Sequence, residues 1–285
     1  MKNRILSIFG VVALLVGIGL TGVNVYGLFR DVRPANLEGT DTRFHEDLTM
    51  DFDQSMTEII RKSGESEEQY AERVTNVISK SLAHIHWKEE TDNTRFNQLI
   101  PIWENYFLYF MGIFSGIPEY QRYHYADYER SLRRGIGICG DASMIMSQLL
   151  DQNNIPNQIL TFPGHVVVAA SFDGGRELTY DPDFGVFLPY SPDSIQQSPV
   201  LVREHYAGQG YTEKEINTLN WLYGKDYQRW NGVSHFITKK YYFEKVSYWL
   251  KWPFPFVLIA CGLFFVLKRK SMTPAKNAKL RESLT

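Results

Sequence analysis

Long apolar runs mark both ends of the chain, and mixed apolar and polar periodicities fill the middle. Ile5 to Leu28 is 24 residues without a formal charge. As a helix it measures about 36 Å, enough to cross a bilayer with some tilt. It is longer than a signal-peptide core of about 7–15 residues, and no small-x-small cleavage site follows, so residues 1–30 read as an uncleaved anchor. A second span reads over residues 246–270. Its strictly apolar part, Pro253 to Leu267, is short. Tyr248, Trp249 and Trp252 supply an interfacial belt, Lys251 snorkels outward, and Lys268-Arg269-Lys270 ends the run.

Between them, residues 31–54 are polar and read as a linker, and residues 55–245 as a folded domain. Ser66-Glu67-Glu68-Gln69 is a capping box, and the spacing of Tyr70, Val74, Val77, Ile78 and Ile85 predicts a helix over 67–86. The apolar, aromatic stretch from Phe96 to Phe114 predicts a buried helix or a further membrane contact. Tyr120 to Leu132 predicts another helix, and a helix runs from Cys139 to the polar stop at 151–154. Strand patterns follow at Gln158–Phe162, His165–Phe172, Glu177–Asp181 and Val186–Leu188, punctuated by Pro163-Gly164, Asp173-Gly174-Gly175 and Pro182. Thr212 to Trp230, with a capping box at Thr212 to Glu215, predicts a last helix. Spacings this short favour an antiparallel meander, hence an α+β domain with a helix packed on an antiparallel sheet between two transmembrane helices.

Charge sharpens the topology. The whole chain has 30 basic and 32 acidic side chains, a net charge of −2, which gives no basic field for nucleic acid. Residues 29–250 hold 21 basic and 31 acidic side chains. Lys2, Arg4 and the basic tail 271–285 flank the two apolar segments on their outer sides. The positive-inside rule then puts both termini in the cytoplasm and the domain outside, in an extracytoplasmic or periplasmic space of a cell envelope. A mean hydropathy of −0.27 excludes a chain made mostly of membrane helices.

Two cysteines, Cys139 and Cys261, are too few for a disulfide framework or a cysteine-built zinc site. Cys139 is the only one in the domain. It opens a helix whose first-turn N–H groups favour a thiolate and could hold an oxyanion. A thiol nucleophile needs a base, and the base an orienting group. A turn at 173–175 pairs residue i with roughly residue 348 − i, which brings His165 beside Asp181 across the hairpin. Other groups read more plainly. His84 and His86 point in different directions on a helix and make a poor metal pair, Asp183 reads as a solvated acid after a turn, and Arg133-Arg134 as an anion contact or a solvated pair.

The stretch 133–185 resembles the transglutaminase-like branch of the papain-like cysteine enzymes. The matching residues are Gly137-Ile138-Cys139-Gly140-Asp141-Ala142, Gly164-His165-Val166-Val167-Val168 and Tyr180-Asp181-Pro182. They cover about one fifth of the chain. The resemblance implies Cys139 as nucleophile, His165 as base and then acid, and Asp181 as orienting carboxylate. Family members often carry an aromatic residue where Val167 stands and a tryptophan shortly before the aspartate, and this chain has neither. An upstream oxyanion donor is expected among Gln98, Trp103, Asn105 and Gln121. The expected activity is acyl transfer or hydrolysis at an amide of a protein or peptide, with no metal or organic cofactor. The alternative is a silent domain that binds or scaffolds in an envelope or polysaccharide assembly complex.

Overall fold

The computed structural model describes residues 2–35, 37, 50–88 and 92–282, with side chains for those up to 268 and from Leu6 onward. Most of the linker expected over 31–54 lies outside the described residues. The chain divides into two compact units, residues 1–31, 100–120 and 245–285 in one and residues 32–99 and 121–244 in the other.

The first unit is built on two long apolar helices. Lys2–Gly27 includes a 22-residue stretch, Leu6–Gly27, long and apolar enough to span a membrane. The C-terminal helix Pro253–Glu282 packs along it through glycines. A Cβ on Gly17 would lie 2.8 Å from Ile259 Cγ1, and one on Gly262 2.7 Å from the Leu14 amide, so the backbones touch where side chains are missing. Small residues allow such close approach between apolar helices. The expected single helix over 246–270 is instead broken. Thr238–Leu250 ends before Pro253, and the next helix leaves at 52°. Pro253 and Pro255 lack the N–H groups that would continue the first ladder, and a proline is well tolerated in a new first turn. Over residues 238–268, only the bent pair together is long and apolar enough to cross a membrane.

The expected helix over 96–114 is also shortened. Asn97 has φ 51°, and Asn105 caps a helix that runs only from Tyr106 to Phe114. That helix is not wholly buried, because Phe110, Ile113 and Phe114 are exposed. Its start is fixed by Asn105 Nδ2 donating to Ser247 Oγ at 3.1 Å and Tyr106 Oη donating to the Lys251 carbonyl at 2.9 Å.

The second unit is mixed α and β. Its main sheet has β3 (Asn157–Phe162), β4 (His165–Phe172), β5 (Arg176–Asp181), β6 (Val186–Leu188) and β7 (Gln228–Trp230), all antiparallel, in the order β6-β5-β4-β3-β7. β4 and β5 pair Val168 with Tyr180 and Ala170 with Leu178, the register the turn predicts. A separate parallel pair, β1 (Ala83–His84) and β2 (Ile136–Gly137), sets His84 beside Gly137. The expected 67–86 helix therefore ends at Ser81, and its last residues become β1. The 120–132 prediction resolves into Pro118–Gln121 and Tyr128–Arg134 with coil between. The 212–230 prediction ends at Tyr223, and its remainder becomes β7.

One sheet face carries Val168, Ala170, Leu178 and Tyr180 against the helices Glu67–Ser81 and Cys139–Gln152, whose Val74, Ile78, Ile145 and Met146 complete a core. The opposite face carries Val167, Ala169, Val186 and Leu188 against Tyr206 of Arg203–Gly208 and Leu219 and Tyr223 of Glu213–Tyr223. Strand alternation sends His165 and Asp181 to this second face, as diagonal neighbours on adjacent strands.

Candidate functional site

Cys139 begins the helix Cys139–Gln152, and its N-cap, Ile138, has no side-chain acceptor. The first-turn amides thus keep free N–H groups. Asp141, at the third position, takes the Ile138 N–H at 3.0 Å. Ser143 Oγ donates to the Val166 carbonyl at 2.9 Å, which fastens this first turn to the head of β4. Gly164, at φ 93°, delivers the chain into β4 in a conformation that side chains disfavour, so His165 starts the strand immediately after a sharp reversal.

His165 Nε2 lies 2.7 Å from Asp181 Oδ2, with both side chains nearly solvent-free. The Asp181 carboxylate is further held on both oxygens. Tyr206 Oη donates to Oδ2, Tyr223 Oη approaches it at 3.4 Å, and the amides of Asp183 and Phe184 donate to Oδ1 at 3.2 and 3.3 Å. The two tyrosines also bond each other at 2.7 Å. Burial works against charge on His165. The Asp181 carboxylate outweighs it, assisted by Cys139, and holds the imidazole pKa well above 6.5. Burial and the Asp181 charge push both tyrosine hydroxyls well above 10, so they remain donors.

With Nε2 turned to Asp181, Nδ1 is the ring edge left for the thiol. Ligand atoms of Cys139, His165 and Asp183 lie within 4.8 Å of one another. The structure therefore brings together Cys139, His165 and Asp181, the three residues singled out in the sequence. Cys139 is partly exposed, whereas the pair behind it is buried.

Two residues that the sequence did not assign to the site join it. Asp183 is 1% exposed, not a solvated acid, and its Oδ1 lies 3.0 Å from His84 Nε2, itself 1% exposed. His84 arrives because β1 pairs with the chain leading into Cys139. A two-residue strand has no readable periodicity, and Asp183 lies in the turn after β5, where no strand alternation reports its burial.

Arg134 is no solvated cation either. It is fully buried between the rings of Trp87 and Tyr125, donates to the Tyr123 carbonyl at 2.7 Å, and lies 3.8 Å from Asp141. His124 Nδ1 lies 2.7 Å from Asp141 Oδ2, and its ring stacks on Trp87. Burial raises the Asp141 pKa, but His124, Arg134 and the Ile138 amide overcome that and hold it below 3.8. Among the expected oxyanion donors, Gln98 is committed elsewhere, its amide donating to the Trp87 carbonyl and its carbonyl accepting from Arg122.

A cleft of about 460 Å³ opens beside His165, lined by Gly164, His86, Phe184, Lys214, Thr218 and Leu222 among others. Lys214 and Thr218 also line a second hollow that ends at Asn217 and the exposed Trp221, so one stripe of the Glu213–Tyr223 helix edges both. Comparison of the chain with family models, with curated proteins and with solved structures finds no match.

Proposed function

We propose that the protein is a membrane-anchored thiol acyl-transfer enzyme, a member of the transglutaminase-like group that residues 133–185 resemble. The observation that carries this reading is the buried His165–Asp181 pair, with the free edge of its imidazole toward Cys139. In the first step the Cys139 thiolate attacks an amide carbonyl, and the N–H groups of the first helical turn receive the oxyanion. His165 Nδ1 then gives its proton to the leaving amine, and a thioester remains on Cys139. Water or a second amine attacks that thioester while His165 takes up its proton, and the thiolate leaves. Asp181 keeps Nε2 protonated and balances the imidazolium throughout. No step calls for a metal or an organic cofactor.

The cleft beside His165 suits one side chain of an extended peptide, and the hollow at Trp221 a ring or apolar group farther along it. For the anchor, the reading is two crossings with both termini cytoplasmic and residues 32–99 and 121–244 extracytoplasmic. The part of the bent pair Thr238–Leu250 and Pro253–Lys268 that lies beyond Glu244 serves as the second crossing. Its glycine-mediated packing on Lys2–Gly27 supports that, as do the exposed Phe110, Ile113 and Phe114 in the same unit.

The test uses the full chain in detergent micelles. Iodoacetamide alkylation of Cys139 is followed against pH, and a peptide-amide library is screened by mass spectrometry for an acyl group on Cys139. Alkylation that is fast at neutral pH and at least about tenfold slower in His165→Ala, together with a trapped thioester absent from Cys139→Ala, is the expected result. A thiol indifferent to His165 and never acylated would sink the enzyme reading and leave a binding module.

A further inference from the structure

The pocket that holds the thiol gathers more negative charge than its chemistry uses. Asp181 alone suffices to orient His165, yet a second buried carboxylate, Asp183, stands within 4.8 Å of both Cys139 and His165. With Cys139 as thiolate, three anions meet at this spot, and histidines, tyrosine hydroxyls and the amides of Asp183 and Phe184 face them from the surrounding elements. His84 faces Asp183 from β1, His165 faces Asp181 from β4, and Tyr206 and Tyr223 face Asp181 from their helices. Such a cluster favours a cation.

The donor set has a recognisable preference. A thiolate, an imidazole and one carboxylate suit a soft or borderline divalent ion of the zinc class, whereas calcium and magnesium demand mostly oxygen. Each of two donors is also held from behind at its other polar atom. Asp181 holds His165 Nε2 at 2.7 Å and so presents Nδ1, and His84 lies 3.0 Å from Asp183 Oδ1. Backing of this kind orients metal ligands, and the carboxylate behind His165 also raises the basicity of that imidazole. Cys139 is partly exposed, which leaves a fourth position open for water.

We propose that Cys139 Sγ, His165 Nδ1 and a carboxylate oxygen of Asp183 form a three-ligand site for a zinc-class cation, and that occupying it silences the thiol. Starting from the thiolate–imidazolium pair, Zn²⁺ bonds to sulfur and to Nδ1, and the Nδ1 proton leaves to solvent, so one proton is released per ion bound. Nothing is oxidised or reduced. The metal half of the proposal stands on geometry alone, while the silencing half rests on the thiol chemistry proposed above.

The experiment separates the two. Co²⁺ is titrated into the metal-free full chain in detergent, and the thiolate-to-cobalt charge-transfer band is recorded before Zn²⁺ displaces it. The expected result is one site per chain with four-coordinate cobalt, no charge-transfer band in Cys139→Ser, and binding weaker by about tenfold or more in Asp183→Asn. Thermal unfolding of each variant checks its fold. Should Asp183→Asn fail to fold, His84→Gln replaces it, with the same direction of effect and about ten- to hundredfold weaker binding. No charge-transfer band in the wild type, or binding as tight in a folded Asp183 or His84 variant, overturns the site. In parallel, Zn²⁺ at one equivalent blocks iodoacetamide alkylation of Cys139 and EDTA restores it. Bound zinc that leaves alkylation untouched overturns the silencing alone.

Discussion

The Nε2 of His165 sits 2.7 Å from Oδ2 of Asp181, and this single contact decides which edge of the ring is free. Because one imidazole nitrogen is committed to a buried carboxylate, the proposed proton traffic with Cys139 passes through the other. The contact also charges the ring, since Asp181 outweighs the burial that opposes protonation.

That charge has a pH signature. A histidine whose folded pKa is raised stabilises the fold fully below its unfolded value of 6.5, and the contribution fades as pH rises through the folded value. Thermal stability of the wild type is therefore expected to fall from about pH 6.5 upward. In His165→Gln that alkaline slope shrinks. Equal slopes in the two proteins would mean that the ring is not charged in the folded state.

Asp141 carries the opposite sign. Its folded pKa is lowered, so its contribution is present above 3.8 and is lost as pH falls through the folded value. Asp141→Ala also strands the fully buried Arg134 beside it. Removing one partner of a buried pair costs about 3–5 kcal/mol, and the acid limb of the stability curve should flatten at the same time. Chemical denaturation of the variant at pH 4 and pH 7 measures both; a loss under about 1 kcal/mol contradicts the burial argument.

Gly164→Ala tests how His165 is aimed. No atom lies within 4 Å of the added Cβ, so the cost is backbone strain at φ 93° alone. A loss of about 1–2 kcal/mol is expected. Slower Cys139 alkylation should accompany it, because the turn and the strand head would shift together.

The glycine contacts between the two long helices make a paired prediction. Gly17→Leu drives a side chain into Ile259 and the Pro255 carbonyl, whereas Gly19 has nothing within 4 Å. Overpacking costs about 1–3 kcal/mol, so Gly17→Leu should melt earlier in detergent while Gly19→Leu melts with the wild type. Identical melting of the two variants would show that the helices do not rely on close approach.

Trp221 offers a measurement on substrate binding. Its ring is more than half exposed at the end of the hollow that Lys214 and Thr218 share with the cleft. For an acylating peptide found in the library screen, Trp221→Ala should raise KM by roughly tenfold with little change in kcat, as expected when uniform binding is removed. A fall in kcat with KM unchanged would place Trp221 outside the binding path.

Much of the sheet and of the site was legible because both rest on local signals. His165–Phe172 and Val186–Leu188 begin and end where alternation and the flanking Pro and Gly put them, and the hairpin register follows from its turn. Cys139, His165 and Asp181 could be grouped because that hairpin aligns two of them and a helix start presents the third. What escaped depends on long-range contact. His84 belongs to the site only through a two-residue strand paired 53 residues downstream, and Asp183 looks like a turn acid until its burial is seen. The break before Pro253 was under-read because the apolar run continues across it, although the two prolines carried the signal.

Residues 100–120 leave the mixed α and β unit after Leu99 and return to it at Gln121. Clipping the chain at both ends would therefore leave the aromatic excursion, with its exposed Phe110, Ile113 and Phe114, attached to the mixed α and β unit. Preparing the thiol unit by itself would mean splicing Leu99 to Gln121 across a short linker. On the proposed membrane anchoring, handling of the full chain belongs in micelles or nanodiscs from the first extraction step.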